Sequence, residues 1–315
     1  MKFSLISTVY NEEKSIGELI KSLLKQTIVP DEIIIVDSLS KDNTVKVIKS
    51  FKNKRIKVIE KKADIGTGRN IAIKKAKNEI IMTIDGGCVA EKNWCEEMLR
   101  PFKEKNADVV GGVFKPLAKN FFEECEGVIV CKPIKDIDES KFLPSSRCLA
   151  FKKKAWKSVG EYPKHDMGGE DTLFVLNLKK KGYQVMVNKK AIVSWRMRSP
   201  LKNFIKQLFY YAIGDVNLKN IYKMKINLLF VLFVPLYLIA SIVLLFLYYP
   251  AALIMLGLFL LYFIFNGIKV AVKTKKIAGF YYGFIMSFFK RMAYVAGIWR
   301  AWIFPFHKKY KNENY

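Results

Sequence analysis

Apolar positions in the first 85 residues fall into two alternating patterns. Phe3 to Val9, Glu32 to Asp37, Ile56 to Ile59 and Glu79 to Asp85 are near-continuous, β-branched runs, the composition of strands buried on both faces of a parallel sheet. Between them the period becomes helical. Ile16, Leu19, Ile20, Leu23 and Leu24 recur at i, i+3, i+4, i+7 and i+8, Ser40 to Thr44 supplies helix-start residues ahead of Val45, Val47 and Ile48, and Gly68 to Lys77 reads as a third helix. Four strands alternating with helices predict an α/β fold, a mostly parallel sheet flanked by helices with right-handed crossovers.

Two of the runs stop on a carboxylate, Asp37 and Asp85. The carboxyl ends of parallel strands open onto the crevice in which such folds bind ligands. Taken singly, each aspartate is equally well explained as the cap of the next helix or turn. A dinucleotide-binding enzyme would carry Gly-x-Gly-x-x-Gly after the first strand, whereas Thr8-Val9-Tyr10-Asn11-Glu12-Glu13 stands there without glycine.

The pattern changes after residue 225. From Ile226 to Ile268 there is no Asp, Glu, Lys, Arg or His, and as helix this stretch would extend roughly 65 Å, about twice a bilayer core. It predicts a transmembrane hairpin, about 227–249 and 251–268, turning at Tyr248-Tyr249-Pro250 with Pro ending the first helix; a buried hairpin of a soluble protein is the alternative. Residues 200–225 mix Phe204, Leu208, Phe209 and Tyr210 with Lys202, Lys206 and Lys219, as in an amphipathic juxtamembrane helix lying on the membrane. Residues 277–304 are apolar and aromatic but interrupted by Lys290, Arg291 and Arg300, each costing roughly 2.5–3.5 kcal/mol at the bilayer centre. An interfacial or re-entrant helix is expected there, apolar face in lipid and basic face toward headgroups, with a third span as the alternative. Residues 1–199 would form a cytosolic domain ahead of these segments. No apolar leader with a small-residue cleavage site precedes Phe3, so the first strand is expected to start the mature chain.

Charge supports this division. The net charge of +26 over 315 residues calls for a polyanionic environment. Lys223, Lys225, Lys269, Lys273, Lys275 and Lys276 flank the apolar run, which points to an anionic membrane and, by the positive-inside rule, to a multi-pass protein of the cell membrane with its N-terminal domain and tail in the cytosol. The remaining charge is dispersed without a recognised motif, so no nucleic-acid partner is expected. Five cysteines, at 88, 95, 125, 131 and 148, form no Cys-x-x-Cys pair, and the two histidines are His165 and His307. A zinc ribbon and a histidine-rich metal site are therefore excluded, and the cysteines are expected to be reduced thiols. Any metal must be a hard divalent cation, Mg²⁺ or Mn²⁺, held by carboxylate and phosphate.

Ser7-Thr8-Val9-Tyr10-Asn11-Glu12-Glu13, followed by Ile34-Ile35-Val36-Asp37-Ser38-Leu39-Ser40-Lys41-Asp42-Asn43-Thr44, resembles the nucleotide-binding half of family 2 glycosyltransferases with the GT-A, Rossmann-like fold. Gly66-Thr67-Gly68-Arg69-Asn70 is similar to that family's Gly-x-x-x-Arg-Asn turn, and Ile84-Asp85-Gly86-Gly87-Cys88 occupies the place of its metal-binding Asp-x-Asp. Ser146-Arg147-Cys148-Leu149-Ala150-Phe151 and Gly169-Glu170-Asp171-Thr172-Leu173 match the acceptor-side strand and the Glu-Asp motif. The chain departs from the pattern at Gly87, in place of the second metal acid, and at Ser38, in place of the second acid after strand two.

The resemblance implies a UDP- or GDP-linked sugar donor bound by Val9, Tyr10, Asn11, Glu12, Asp37, Arg69 and Asp85. Tyr10 would stack on the base, Glu12 contact the nucleoside, Asp37 accept from base or ribose, Arg69 pair with phosphate or orient carboxylates, and Asp85 hold the cation. Inverting transfer needs a base opposite the leaving group, and Asp171, with Glu170 beside it, is the candidate. Both could instead favour the dipole at the start of a helix over 172–181. Arg147, Trp195, Arg196 and Arg198 are candidates for acceptor or phosphate binding, with lipid headgroups the alternative for the juxtamembrane arginines. The expected function is that of a membrane-bound inverting glycosyltransferase acting on a lipid-linked acceptor, a polyprenyl or dolichyl phosphate or a lipid-linked glycan. For a phosphate acceptor Asp171 would position rather than deprotonate. The Gln-x-x-Arg-Trp motif of processive synthases is missing; Gln207-Leu208-Phe209-Tyr210-Tyr211 is the nearest run. A catalytically inert, membrane-tethered scaffold of the same fold is the rival reading.

Overall fold

The computed structural model describes residues 1–164, 169–217, 236–237 and 239–304. They divide into two compact units. The first, Met1–Leu117, Cys131–Asp166 and Glu170–Arg196, is built on an eight-stranded sheet of order β3-β2-β1-β4-β7-β6-β8-β5. Its strands are β1 (Phe3–Val9), β2 (Glu32–Asp37), β3 (Ile56–Glu60), β4 (Ile80–Thr83), β5 (Cys88–Ala90), β6 (Val109–Leu117), β7 (Leu149–Lys152) and β8 (Val185–Arg196). β1, β2, β3 and β4 run parallel, in register such that Val9 faces Asp37. β7 is antiparallel to β4 and β6, β8 is parallel to β6, and β5 is antiparallel to β8.

All six residues of β2 are buried, as expected of a strand covered on both faces. The covering helices are α1 (Ile16–Leu24), α2 (Thr44–Ser50), α3 (Ile65–Lys75) and α4 (Trp94–Glu104); after α5 (Phe121–Val130), which belongs to the second unit, come α6 (Lys153–Ser158) and α7 (Glu170–Lys180). Ile6, Ile34, Ile81, Val109, Phe151 and Phe174 form the centre of the core with Trp156 and Tyr162, each contributing about 1.5–3 kcal/mol by removal from water.

Two boundaries differ from the sequence expectation in ways that matter for the site. α3 begins at Ile65 rather than Gly68, because Asp64 caps it: Asp64 Oδ1 accepts the Thr67 N–H at 2.8 Å. Its glycines let the helix close on its neighbours, since a Cβ at Gly68 would lie 2.8 Å from Thr8 Cγ2 and one at Gly66 would lie 2.2 Å from the Pro163 carbonyl oxygen. β4 stops at Thr83, so Asp85 stands in the loop beyond the strand, where its carbonyl accepts the Cys88 N–H at 3.1 Å.

The second unit comprises Ala118–Val130, Met167–Gly169 and Met197–Tyr315. It contains α5, α8 (Leu201–Asn217), a helix over Tyr249–Thr274 and a last helix over Ala278–Ile303. The apolar face expected to lie on the membrane in 200–225 is instead packed on protein. Phe204 and Leu208 are buried in a cluster with Met286 and Ala293 of the last helix, and Gly297 approaches so closely that a Cβ there would lie 2.5 Å from the Phe209 carbonyl oxygen. Residues 218–225 lie outside the described residues.

The first arm of the expected hairpin lies mostly outside the described residues; 239–247 are helical and the helix breaks at Tyr248. Pro250 sits in the first turn of the following helix, where its missing N–H leaves no bond unmade. That helix runs beyond Ile268 to Thr274, and among the described residues it is the one helix long and apolar enough to cross a membrane. The last helix forms where the interfacial segment was expected, but two of its basic residues face protein rather than headgroups. Lys290 Nζ donates to the Ile129 carbonyl at 3.0 Å, satisfying an end carbonyl of α5, and Arg291 Nη2 and Nε donate to Tyr262 Oη at 2.6 and 2.9 Å. His165, His307 and the basic tail lie outside the described residues.

Candidate active site

The loop after β1 and the turn after β2 are tied together by their own polar groups. Asn11 adopts a left-handed φ of +54°, a conformation that Asn tolerates well. Its N–H donates to Ser40 Oγ at 2.8 Å and its Oδ1 accepts the Lys41 N–H at 2.8 Å; the Glu12 N–H donates to Thr44 Oγ1 at 2.7 Å. Asp37 is buried, and Ser40 donates to both its oxygens, N–H to Oδ2 at 2.8 Å and Oγ to Oδ1 at 2.5 Å. The carboxylate expected to meet base or ribose thus builds the turn that holds Asn11. Tyr10, on the same loop, is 52% exposed. Val9 and Glu12 pack on Gly86, where an added Cβ would lie 3.1 Å from both Val9 Cγ1 and Glu12 Cγ, so the loop after β1 adjoins the loop of Asp85.

Arg69 joins three segments far apart in sequence. Its guanidinium, with the side chain 4% exposed, donates from Nη1 to Glu170 Oε1 at 2.5 Å and from Nη2 to Asp85 Oδ1 at 2.9 Å. Burial opposes its charge, but Asp85 and Glu170 hold its pKa above the ordinary arginine value. Burial pushes Glu170 upward, and the Arg69 charge pulls it back. Glu170 is therefore an ion-pair anchor for Arg69. Asp171, the next residue, is half-buried and accepts the Ser146 N–H at 3.2 Å on Oδ2.

Sequence reasoning gave no role to the groups that support this pair. Asn70 Nδ2 donates to the Tyr162 carbonyl at 2.8 Å, while its Oδ1 accepts the Tyr162 N–H and Trp156 Nε1–H, each at 2.9 Å. Tyr162 stacks on Phe174 of α7 at 4.0 Å and its hydroxyl lies 2.9 Å from Ser146 Oγ. Asn70 stood in the Gly66-Thr67-Gly68-Arg69-Asn70 turn; Tyr162 carries no local signal, because its partners are distant in sequence.

Arg147 completes the surroundings of Asp85. Its Nε is 3.7 Å from Asp85 Oδ2, and its guanidinium lies over the rings of Trp195 at 4.0 Å and Phe114 at 5.2 Å. Arg196 donates its N–H to the Gly87 carbonyl at 3.0 Å but turns its side chain onto Glu18 of α1. Arg198 belongs to the second unit, where its N–H donates to Glu126 Oε2 at 2.8 Å. Of the four residues considered for phosphate or acceptor, Arg147 is thus brought to Asp85, with Trp195 stacked against it.

Among the described residues no three His, Cys, Asp or Glu side chains gather around one point to hold a metal. Asp85 is one-third exposed, the position of a Gly87 side chain is open space, and burial pushes the Cys88 thiol well above its ordinary pKa. A lone accessible carboxylate fits a hard divalent cation that completes its shell with water and phosphate oxygens.

The sequence profile described as Glycosyl transferase family 2 matches residues 4–148, and that described as Glycosyl transferase family group 2 matches residues 80–268. The chain is 26% identical over 196 residues to the O-antigen chain rhamnosyltransferase WbaN of Salmonella anatum, covering 58% of this chain and 62% of that protein. It is 26% identical over 229 residues to a dolichyl N-acetyl-alpha-D-glucosaminyl phosphate 3-beta-D-2,3-diacetamido-2,3-dideoxy-beta-D-glucuronosyltransferase of Methanococcus voltae, covering 66% and 71%. The chain therefore spans less than two thirds of the length of the first of these relatives. A crystal structure of S. aureus TarS in complex with UDP-GlcNAc superposes with a TM-score of 0.54 at 18% identity, over 98% of this chain and 93% of that one. This likeness establishes the GT-A fold.

Proposed function

The chain belongs to the family 2 glycosyltransferases, and from that premise we propose that it transfers a sugar, with inversion, from a UDP- or GDP-linked donor to a lipid-linked acceptor at the cytosolic face of a membrane. The observation that carries the reading is the Arg69 bridge, which joins the Asp85 loop to the Glu170-Asp171 start of α7 across 16 and 101 residues of sequence. One guanidinium thereby sets the donor side and the acceptor side at a common distance.

Tyr10 offers an exposed ring to the base, with Val9, Asn11 and Glu12 shaping the loop and Asp37 holding it through Ser40. Asp85 holds the cation, Mg²⁺ or Mn²⁺, which when bound neutralises charge on the departing diphosphate. Arg147, stacked on Trp195, flanks the same carboxylate and serves the phosphates. Asp171 takes the proton of an acceptor hydroxyl opposite the leaving group, or orients the acceptor where that is a phosphate. Glu170 keeps Arg69 in place. Arg196, turned onto Glu18, and Arg198, held through its backbone by Glu126, support neighbouring structure instead.

The lipid-linked acceptor is supported by the Tyr249–Thr274 helix, whose length and composition suit a membrane span, and by the dolichyl-linked compound in the name of the Methanococcus relative. A hairpin over 226–268 then makes the protein multi-pass. Gly87, in place of the second metal acid, favours the rival reading of an inert scaffold. Calorimetry separates the two: the full-length protein titrated with a panel of UDP- and GDP-sugars, with and without Mn²⁺, beside Asp85→Ala. Metal-dependent binding of one donor that the variant loses is the expected result; no binding by any donor favours the scaffold.

A further inference from the structure

We propose that Tyr162 is a positioning residue: acting through Ser146, its hydroxyl fixes the carboxylate of Asp171, given the reading of Asp171 as the group that meets the acceptor.

Ser146 is fully buried, and each of its polar groups meets a different segment. Its carbonyl accepts the Thr83 hydroxyl at 2.7 Å, where β4 ends just short of Asp85. Its own hydroxyl lies 2.9 Å from Tyr162 Oη, and its N–H donates to Asp171 Oδ2 at 3.2 Å. Asp171 Oδ1 accepts the N–H of Thr172, on the same helix, at 2.7 Å. One amide therefore meets each carboxylate oxygen, and the Ser146 amide is the one that ties Asp171 to β4. A carboxylate held at both oxygens has its plane set, the condition for taking a proton from a bound acceptor at a fixed place.

Tyr162 is held independently of Asp171. Asn70 bonds both its carbonyl and its N–H, at 2.8 and 2.9 Å, and its ring stacks on Phe174 at 4.0 Å with Phe151 at 6.2 Å. A phenylalanine ring would fill this aromatic site equally well, so packing does not call for the hydroxyl. Buried among rings, that hydroxyl requires a partner, which Ser146 Oγ supplies. Burial pushes the Tyr162 phenol well above its ordinary pKa, so the two hydroxyls stay neutral while Asp171 takes up and releases a proton. Asn70 adjoins Arg69 on α3, and one helical turn thus sets both acids. Arg69 holds Glu170 directly, and Asn70 holds Asp171 through Tyr162 and Ser146.

The test is steady-state transfer by the full-length chain in membranes, from UDP- and GDP-sugars labelled in the sugar, for wild type, Tyr162→Phe, Ser146→Ala and the double variant. Tyr162→Phe should lower kcat about tenfold while the donor KM stays within about twofold of wild type. Ser146→Ala keeps the amide but loses the hydroxyl, and should do the same. Because the two hydroxyls act as one unit, the double variant should fall no further than either single one. Thermal unfolding checks each variant, and Ser146→Ala, which leaves the aromatic cluster whole, carries the test should Tyr162→Phe fail to fold. Wild-type kcat in either single variant, a donor KM that rises as far as kcat falls, or losses that multiply in the double variant overturns the positioning role. With Asp171→Asn inactive beside them, those results leave the transfer reading standing. An Asp171→Asn protein as active as wild type, or a wild type that transfers from no donor, overturns both.

Discussion

At the scale of single residues, Arg69 decides most. Among the described ion pairs it is the positive partner of Glu170, and both side chains are almost wholly buried, so Arg69→Ala leaves a buried carboxylate uncompensated. The variant should lose about 3–5 kcal/mol of stability in denaturant unfolding, and adding Glu170→Gln should restore part of it. Gly87 makes the opposite kind of prediction. Nothing lies within 4 Å of where its side chain would begin, so Gly87→Asp fits and adds a second acid beside Asp85; Mn²⁺ affinity in calorimetry should rise on the order of tenfold. Arg69, Asp85 and Asp171 could be proposed from sequence because each lies in a short motif. Asp37 was only half legible: its place after β2 left a nucleoside contact and a turn cap equally open, and in the structure Ser40 occupies both its oxygens. Tyr162 was not legible at all, since its bonds to Asn70 cross 92 residues.

At the scale of elements, the parallel half of the sheet could be read from period and β-branching, whereas β7 was marked as a strand only by the resemblance at Ser146–Phe151. It is four residues long and pairs antiparallel between β4 and β6, and so short a run carries no periodicity. α8 and the last helix were legible as helices, but their surroundings were not, because an apolar stripe looks the same whether lipid or protein covers it. Gly283 tests that protein contact. A Cβ there would lie 2.7 Å from Val270 Cβ and 3.0 Å from the Asn266 carbonyl oxygen, so Gly283→Leu should lower the thermal midpoint in detergent, a loss of about 1–3 kcal/mol. α5 carries a pH dependence. Glu126 is fully buried, its Oε1 has no described hydrogen-bond partner, and burial, with Glu123 nearby, pushes its pKa up to about 7 from 4.5. The folded form thus holds the proton more tightly than the unfolded form. The associated stability is fully present below about pH 4.5 and is lost as pH rises to about 7. Glu126→Gln should flatten the stability profile of the second unit across that window in pH-resolved thermal unfolding.

At the scale of the whole molecule, the chain joins a GT-A fold to a helical unit whose Tyr249–Thr274 helix presents Leu253, Ile254, Leu258, Leu261 and Phe265 to its surroundings. Exposure of that many large apolar side chains on one helix is compatible with lipid and costly in water. The excess of positive charge, +26 in all, suits an anionic leaflet. The proposal of a membrane-directed segment after the globular domain starts from the 43 residues from Ile226 to Ile268 without a charged side chain. The acceptor was not legible, because its chemistry is read by few residues and by none with a diagnostic spacing. The central claim is transfer of the sugar itself. It is tested most directly by incubating membranes that contain the full-length chain with nucleotide donors labelled in the sugar, then following the label into the organic-solvent extract. The account predicts that one donor passes its label to lipid, and that Asp171→Asn stops this while leaving donor binding intact. Label that stays in the aqueous donor with every nucleotide sugar, or an Asp171→Asn protein as active as wild type, would contradict it.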